Sequence, residues 1–313
     1  MSHLVAIVGP TAIGKSKLAI RLAQIFDGEI VSADSRQVYR YMDIGTAKPS
    51  PEERELVHHH LIDVVDPDED FSLARYQEMA YEAVSDIQQR AKLALLVGGS
   101  GLYVRAVMGG WRIPQVAPDP ELRRDLEERA AREGYMALYE ELKQVDPDAA
   151  ERIDPRNTRR LIRALEVCRI SGMPFSQLQQ SKPLFQTLVI GLTTARDDLY
   201  RRIDNRVDDM IERGLVQEVE GLLARGYGLD LPSTSGLGYK QIVLYLRGEI
   251  DLPQAVQQIK FETHRFARHQ YAWFRLKDER IQWFDIGDDI EEPIQNLIQG
   301  FASSDLGRKR MRR

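Results

Sequence analysis

The residues Gly9-Pro10-Thr11-Ala12-Ile13-Gly14-Lys15-Ser16 match the spacing G-x-x-x-x-G-K-[ST] and can trap phosphate. Gly9 and Gly14 let the backbone curl so that successive N–H groups point into one concavity. A helix beginning near Lys15 adds its positive end. Lys15 supplies a mobile cation, and Ser16 a hydroxyl that can ligate Mg²⁺. Which phosphate is held, and what is done with it, the loop does not specify. A carboxylate, Asp34, closes the run Gly28-Glu29-Ile30-Val31-Ser32-Ala33. It either faces the same crevice as a catalytic group or caps the helix that follows. A second glycine loop, Gly98-Gly99-Ser100-Gly101, reads as a backbone cradle for a ligand lying close to the chain. In many P-loop ATPases and GTPases the strand before such a loop ends in an Asp that helps hold Mg²⁺. Here it ends in glycines and a serine, which argues against hydrolysis coupled to motion.

These groups need a scaffold, and the sequence supplies one. Leu4–Val8, Gly28–Ala33, Leu93–Val97, Thr187–Leu192 and Ile281–Ile286 are short apolar runs bounded by polar or glycine segments, the pattern of buried parallel strands. Helical periodicity lies between them: Leu18, Leu22 and Ile25 share a face, residues 72–91 read as helix, and Leu199, Ile203, Val207 and Met210 share another. Arg202, Arg206 and Arg213 run alongside that last face, placed to reach a phosphate at the strand ends. From Trp111 to about Lys182 no convincing strand occurs. Asp119-Pro120 and Asp154-Pro155 look like helix starts. Arg156, Arg159, Arg160 and Arg163 form a basic face opposite Leu161, Leu165 and Cys168, either merely solvated or in contact with a polyanion. In 255–276, Val256, Ile259, Thr263, Phe266, Gln270 and Trp273 define the inward face. Lys260, His264, Arg268, Tyr271 and Arg275 form a basic ridge with an aromatic in it, as a phosphate backbone and a stacked base require. His58-His59-His60 reads as loop residues or polar contacts rather than a metal set.

The fold class expected is therefore α/β: a P-loop NTPase-like parallel sheet flanked by helices, with a helical insertion domain. The core is assigned to 1–112 and 186–288, the insertion to 113–185, and a basic, disordered tail to 289–313, ending in Arg308-Lys309-Arg310-Met311-Arg312-Arg313. With 43% apolar residues the 313-residue chain can bury a real core. A net charge of −5 means that nucleic-acid binding must come from local basic faces. One cysteine, Cys168, excludes an internal disulfide, suits a reducing cytoplasmic setting and reads as a buried, inert thiol. No apolar run approaches a membrane span, and no targeting segment is expected.

Taken together, Gly9–Ser16, Ser32-Ala-Asp-Ser-Arg-Gln-Val-Tyr39, Met42-Asp-Ile-Gly-Thr-Ala-Lys-Pro49, His59-His-Leu-Ile-Asp63 and Val97-Gly-Gly-Ser-Gly-Leu-Tyr103 resemble the bacterial tRNA dimethylallyltransferase family in order and spacing. Asn157–Val167, Met210–Val219, Gly238-Tyr239-Lys240-Gln241 and Arg265–Arg275 extend the resemblance, which runs over roughly residues 3–286. One departure is Ser100, where the family often has threonine; the hydroxyl is kept. The resemblance implies transfer of a dimethylallyl group from dimethylallyl diphosphate to N6 of adenosine 37 in tRNA. It implies Asp34 as general base, Ser100 near the reacting amine, and Arg206 on the leaving group. Gly9, Thr11, Ala12, Ile13, Gly14, Lys15 and Ser16 would hold the diphosphate, with Mg²⁺ at Ser16. Asp34, Ser35, Gln37, Arg160, Arg163, Lys260, His264, Arg268 and Arg275 would meet the anticodon stem-loop. A cytoplasmic monomer with a flipped-out base is expected. The residues leave open a P-loop small-molecule kinase, an adenylate isopentenyltransferase acting on free AMP or ATP, and an RNA-binding module with a vestigial P-loop.

Overall fold

The computed structural model describes residues 2–114, 116–178, 181–229 and 231–310, without the side chains of 2, 178 and 304–310. The elements are β1 Ser2–Val8, α1 Lys15–Ile25, β2 Gly28–Ser32, α2 Pro51–Leu56, β3 His59–His60, α3 Leu73–Gln89, β4 Leu93–Val97 and α4 Gly101–Gly109. There follow α5 Pro120–Glu133, α6 Tyr135–Val145, α7 Pro147–Arg152, α8 Thr158–Ser171 and α9 Phe175–Leu178. The chain closes with β5 Phe185–Thr193, α10 Arg196–Glu212, α11 Leu215–Ala224, α12 Tyr239–Leu246, α13 Leu252–Trp273, β6 Ile281–Asp285 and α14 Glu291–Arg310. Two compact units result: 1–108 with 184–313, and 109–183.

In the first unit six parallel strands lie in the order β3-β2-β4-β1-β5-β6. Alternation along β1 feeds two cores. Val5 and Ile7 face α1, α10 and α14 through Leu18, Leu22, Ile203 and Ile298. Leu4, Ala6 and Val8 face α3 and α4 through Tyr76, Ala80, Val84 and Val104. A strand buried on both faces reads as an unbroken apolar run, which is why β1, β2, β4 and β5 are visible in the sequence; the edge strand β6 is only partly buried. The sixth, β3, is two histidines. It pairs with β2 at Ile30 and Val31, and His60 Nε2 lies 2.8 Å from Glu29 Oε2.

In the second unit α5, α6, α7 and α8 enclose Leu126, Leu138, Leu142, Ile153, Leu161 and Leu165. Asp119 caps α5, accepting the N–H groups of Glu121 and Leu122. The Asp154-Pro155 start is corrected: Asn157 caps α8, its side chain accepting Arg160 N–H, while Asp154 binds Arg156. Cys168 is half-buried in this core, and burial raises its thiol pKa.

The expected disordered tail is also corrected. Residues 291–310 are helical, and Ile294 and Ile298 are buried against β5 and α1. Met311, Arg312 and Arg313 lie outside the described residues. No described helix is long and apolar enough to cross a membrane.

Candidate active site

Because β4 lies between β1 and β2, the loops leaving these three strands are neighbours, at the carboxyl edge where parallel sheets bind ligands. After β1, Gly9 takes φ 143°, and a Cβ there would come 2.6 Å from Leu192 O on β5, so the turn tolerates only glycine. Ala12 at φ 63° and Gly14 at φ 102° complete the curl. No described side chain caps α1 at Gly14, so its first-turn N–H groups belong to the concavity. Lys15 Nζ donates to Gly9 O at 3.0 Å and Pro10 O at 2.7 Å, lying across the loop mouth. Burial lowers its pKa to about 7, with Arg206 adding to the shift and Asp34 opposing it. Ser16 is exposed beside it.

From α10 two arginines reach the loop. Arg202 Nε donates to Ala12 O at 3.1 Å, and Arg206 Nη1 to Thr11 Oγ1 at 3.3 Å. Burial lowers the Arg206 pKa, against the opposing field of Asp34. Lys15, Arg206 and Asp34 thus form one electrostatic cluster. Asp34 Oδ1 accepts Arg36 N–H at 2.8 Å, closing a local turn; no regular helix starts there. Ser100 holds that turn: its Oγ accepts Ser35 N–H at 3.0 Å and donates to Ser35 Oγ at 3.3 Å.

In the second glycine loop the chain's own packing accounts for the glycines. Added Cβ atoms would lie 2.1 Å from Ala33 O at Gly98, 2.1 Å from Gln270 Nε2 at Gly99 and 2.2 Å from Trp273 at Gly101. The chain's own atoms occupy the space where side chains would stand. Gln270, assigned only to the inward face of 255–276, accepts Thr11 N–H at 2.8 Å and donates to Gly99 O at 3.0 Å. A polar residue in an otherwise apolar stripe was the available signal.

Other expected contacts are committed elsewhere. The Gln37 side chain accepts Ser32 Oγ–H and donates to Thr46 O and Ala47 O. The basic ridge of α13 is in part a helix–helix seam. Lys260 pairs with Asp208 at 2.7 Å, His264 with Asp204 at 2.9 Å while stacking on Tyr200, and Arg268 donates to Tyr200 Oη. Phe266, expected inward, is 41% exposed; Ala255, Ile259, Ala267 and Gln270 are the buried line. Arg275 lies exposed beyond α13. In the second unit Arg163 binds the buried Glu166, whereas Arg159 and Arg160 are exposed.

The Asp43–Lys48 segment, irregular in sequence, is held by buried charge. Lys48 Nζ donates to Tyr39 O, Asp43 Oδ1 and Asp63 Oδ1, each at 2.6 Å. Glu218 accepts the N–H groups of Asp43, Ile44 and Gly45 and the Tyr239 hydroxyl. Among the described residues, the one grouping with metal-ligand spacing is Glu29, His58 and His60, within 4.8 Å of one another. Glu29 already binds Arg90 and Lys92, and Arg90 holds its carboxyl well below the usual range, so ion pairing accounts for the cluster.

The family described as IPP transferase matches residues 37–277. The chain is 58% identical over 306 residues to a tRNA dimethylallyltransferase of Roseiflexus castenholzii, covering 97% of this chain and 100% of that one. It is 52% identical over 296 residues to one of Herpetosiphon aurantiacus, covering 94% of each. Among solved structures, the tRNA isopentenylpyrophosphate transferase of Bacillus halodurans superposes with a TM-score of 0.74 at 42% identity, covering 98% of this chain and 100% of that one. A eukaryotic dimethylallyltransferase studied acting on tRNA gives 0.79 at 29% identity, covering 91% of this chain and 74% of that one.

Proposed function

This chain belongs to the IPP transferase family, and on that premise we propose that it transfers a dimethylallyl group from dimethylallyl diphosphate to N6 of adenosine 37 in tRNA. The observation that carries the reading is an anion-type loop bonded to Arg206, with Lys15, Arg206 and Asp34 near enough for their charges to act on one another. In the transfer the N6 lone pair forms a bond to the allylic C1. The C1–O bond breaks, and its electron pair leaves on diphosphate. Asp34 takes the amine proton as the bond forms, which an adenine amine needs because its lone pair is delocalised into the ring. The P-loop N–H groups, Lys15 and Arg206 receive the charge growing on the leaving group. Ser100 holds the turn that carries Asp34.

Mg²⁺ fits this donor set. The exposed Ser16 hydroxyl would contribute one ligand, and Mg²⁺ characteristically takes the rest from phosphate oxygens and water. When bound, it supplies charge neutralisation to the diphosphate. The RNA partner is the anticodon stem-loop, with the base flipped out of its stack. Arg160 and Arg275 are exposed and available to its phosphates, and Ser35 lies beside the base site. Lys260, His264 and Arg268 act first through α10. A tRNA substrate suits a cytoplasmic enzyme, and a monomer is the state we assign it, since the residues named above all come from one chain.

The test is mass spectrometry of an anticodon stem-loop after incubation with the protein and dimethylallyl diphosphate, with parallel reactions on AMP and ATP. A mass gain at adenosine 37 is expected. Prenylation of free AMP at an equal rate, or phosphoryl transfer from ATP without prenyl transfer, would overturn the reading. Asp34→Ala should keep RNA affinity and lower turnover by about 10²–10⁴-fold.

A further inference from the structure

Gln270 is 3% exposed and lies between the two glycine loops. Its Oε1 accepts the N–H of Thr11, 259 residues away in sequence, and its Nε2 donates to the carbonyl of Gly99, 171 residues away. Each loop leads to a different half of the chemistry. Thr11 Oγ1 receives Arg206 in the diphosphate loop. Gly99 precedes Ser100, which clamps the turn carrying Asp34. The fit leaves no slack, because even a methyl group at Gly99 would meet Nε2 at 2.1 Å. On α13 the amide is anchored by Ala267, one turn before it, and is followed by Phe274 one turn on, both buried.

We infer that Gln270 is a positioning residue for group transfer: one planar amide sets the separation between the allylic carbon, held through its diphosphate, and the amine held against Asp34. The inference rests on the transfer reaction proposed above. Reacting atoms must lie within a few tenths of an ångström of their productive spacing, and a misplacement of about 1 Å costs about 100-fold in rate. The role needs an acceptor for Thr11 and a donor for Gly99 in the same group. A carboxylate retains the first and loses the second; a protonated carboxyl restores both.

The experiment uses the full-length protein with Gln270→Glu and Gln270→Met. Single-turnover transfer from labelled dimethylallyl diphosphate to an anticodon stem-loop is followed from pH 5.5 to 8.5. Equilibrium binding of each substrate and thermal melting are measured alongside. Gln270→Met is expected to bind both substrates within about threefold of wild type and to lose about 100-fold in single-turnover rate. Gln270→Glu should show a similar loss at pH 8 and recover, relative to wild type at each pH, as the pH falls. If the Met variant does not fold, the pH profile of the near-isosteric Glu variant decides alone. A Met variant within about threefold of wild-type rate, a loss lying wholly in substrate binding, or a Glu variant whose deficit does not change with pH overturns the inference while the reaction stands. A wild-type protein that transfers nothing to RNA overturns the reaction, and the inference with it.

Discussion

The two glycine loops look alike in sequence and do opposite things. Each follows a buried parallel strand and opens a helix. In Gly9–Ser16 the backbone curls through positive φ at Gly9, Ala12 and Gly14, and of its two glycines only Gly9 is pressed against a neighbour, Leu192 O. Gly14 has one distant contact, Arg202 at 3.8 Å. In Gly98–Gly101 the space above three glycines is taken by Ala33, Gln270 and Trp273. Glycine in the first loop serves φ; in the second it serves close approach of chain to chain. The difference teaches that a glycine run announces missing Cβ atoms and leaves open what occupies the room.

The comparison can be broken by substitution and titration. Lys15→Ala should lower turnover by about 10²–10³-fold, the scale for losing one preorganised group on developing charge, without lowering the melting temperature. Gly98→Ala should act on the fold instead, costing about 3 kcal/mol in chemical denaturation, because the added Cβ meets the backbone of Ala33 rather than a side chain that can move. Equal losses of stability in the two variants would erase the distinction. Binding of dimethylallyl diphosphate should weaken as the pH rises above about 7. There Lys15 is increasingly neutral in the free protein, whereas the bound diphosphate favours the ammonium. Above pH 7 binding should therefore take up a proton, visible as calorimetric enthalpies that vary with buffer ionisation heat, and Lys15→Ala should abolish that uptake. Gly14→Ala should cost about 1 kcal/mol of stability from its positive φ alone, with most of the damage in diphosphate affinity.

Much of the fold was legible because two-sided burial writes apolar runs into β1, β2, β4 and β5. The parts that were not legible have local reasons. β3 is two polar residues held by strand pairing and by Glu29, and neither leaves a hydropathy signal. The last helix was masked by flanking charge, although Ile294 and Ile298 are spaced four apart and are both buried. At the candidate site, the curl of Gly9–Ser16 and the nearness of Asp34 to Lys15 follow from spacing and strand order. The internal partners of Gln37 and of the ridge Lys260–Arg268 are not legible, because sequence shows that a polar side chain exists and not which partner takes it. Here Thr46, Ala47 and α10 take them. Gln270 was seen on the right face of its helix, but the bonds of an amide that closes 259 residues of chain cannot be inferred from a helical stripe.

That closure bears on how the protein is made. β1 is translated before either of its two partners, β4 and β5, and the loop after it meets the α10 arginines and then, at Thr11, Gln270 of α13 later still. At about 5–20 residues per second, synthesis from Thr11 to Gln270 takes roughly 13–50 s. Throughout that interval Leu4–Val8 has at least one unpaired edge or uncovered face, and the phosphate loop lacks its brace. The candidate site is therefore begun some 259 residues of synthesis before its brace is made.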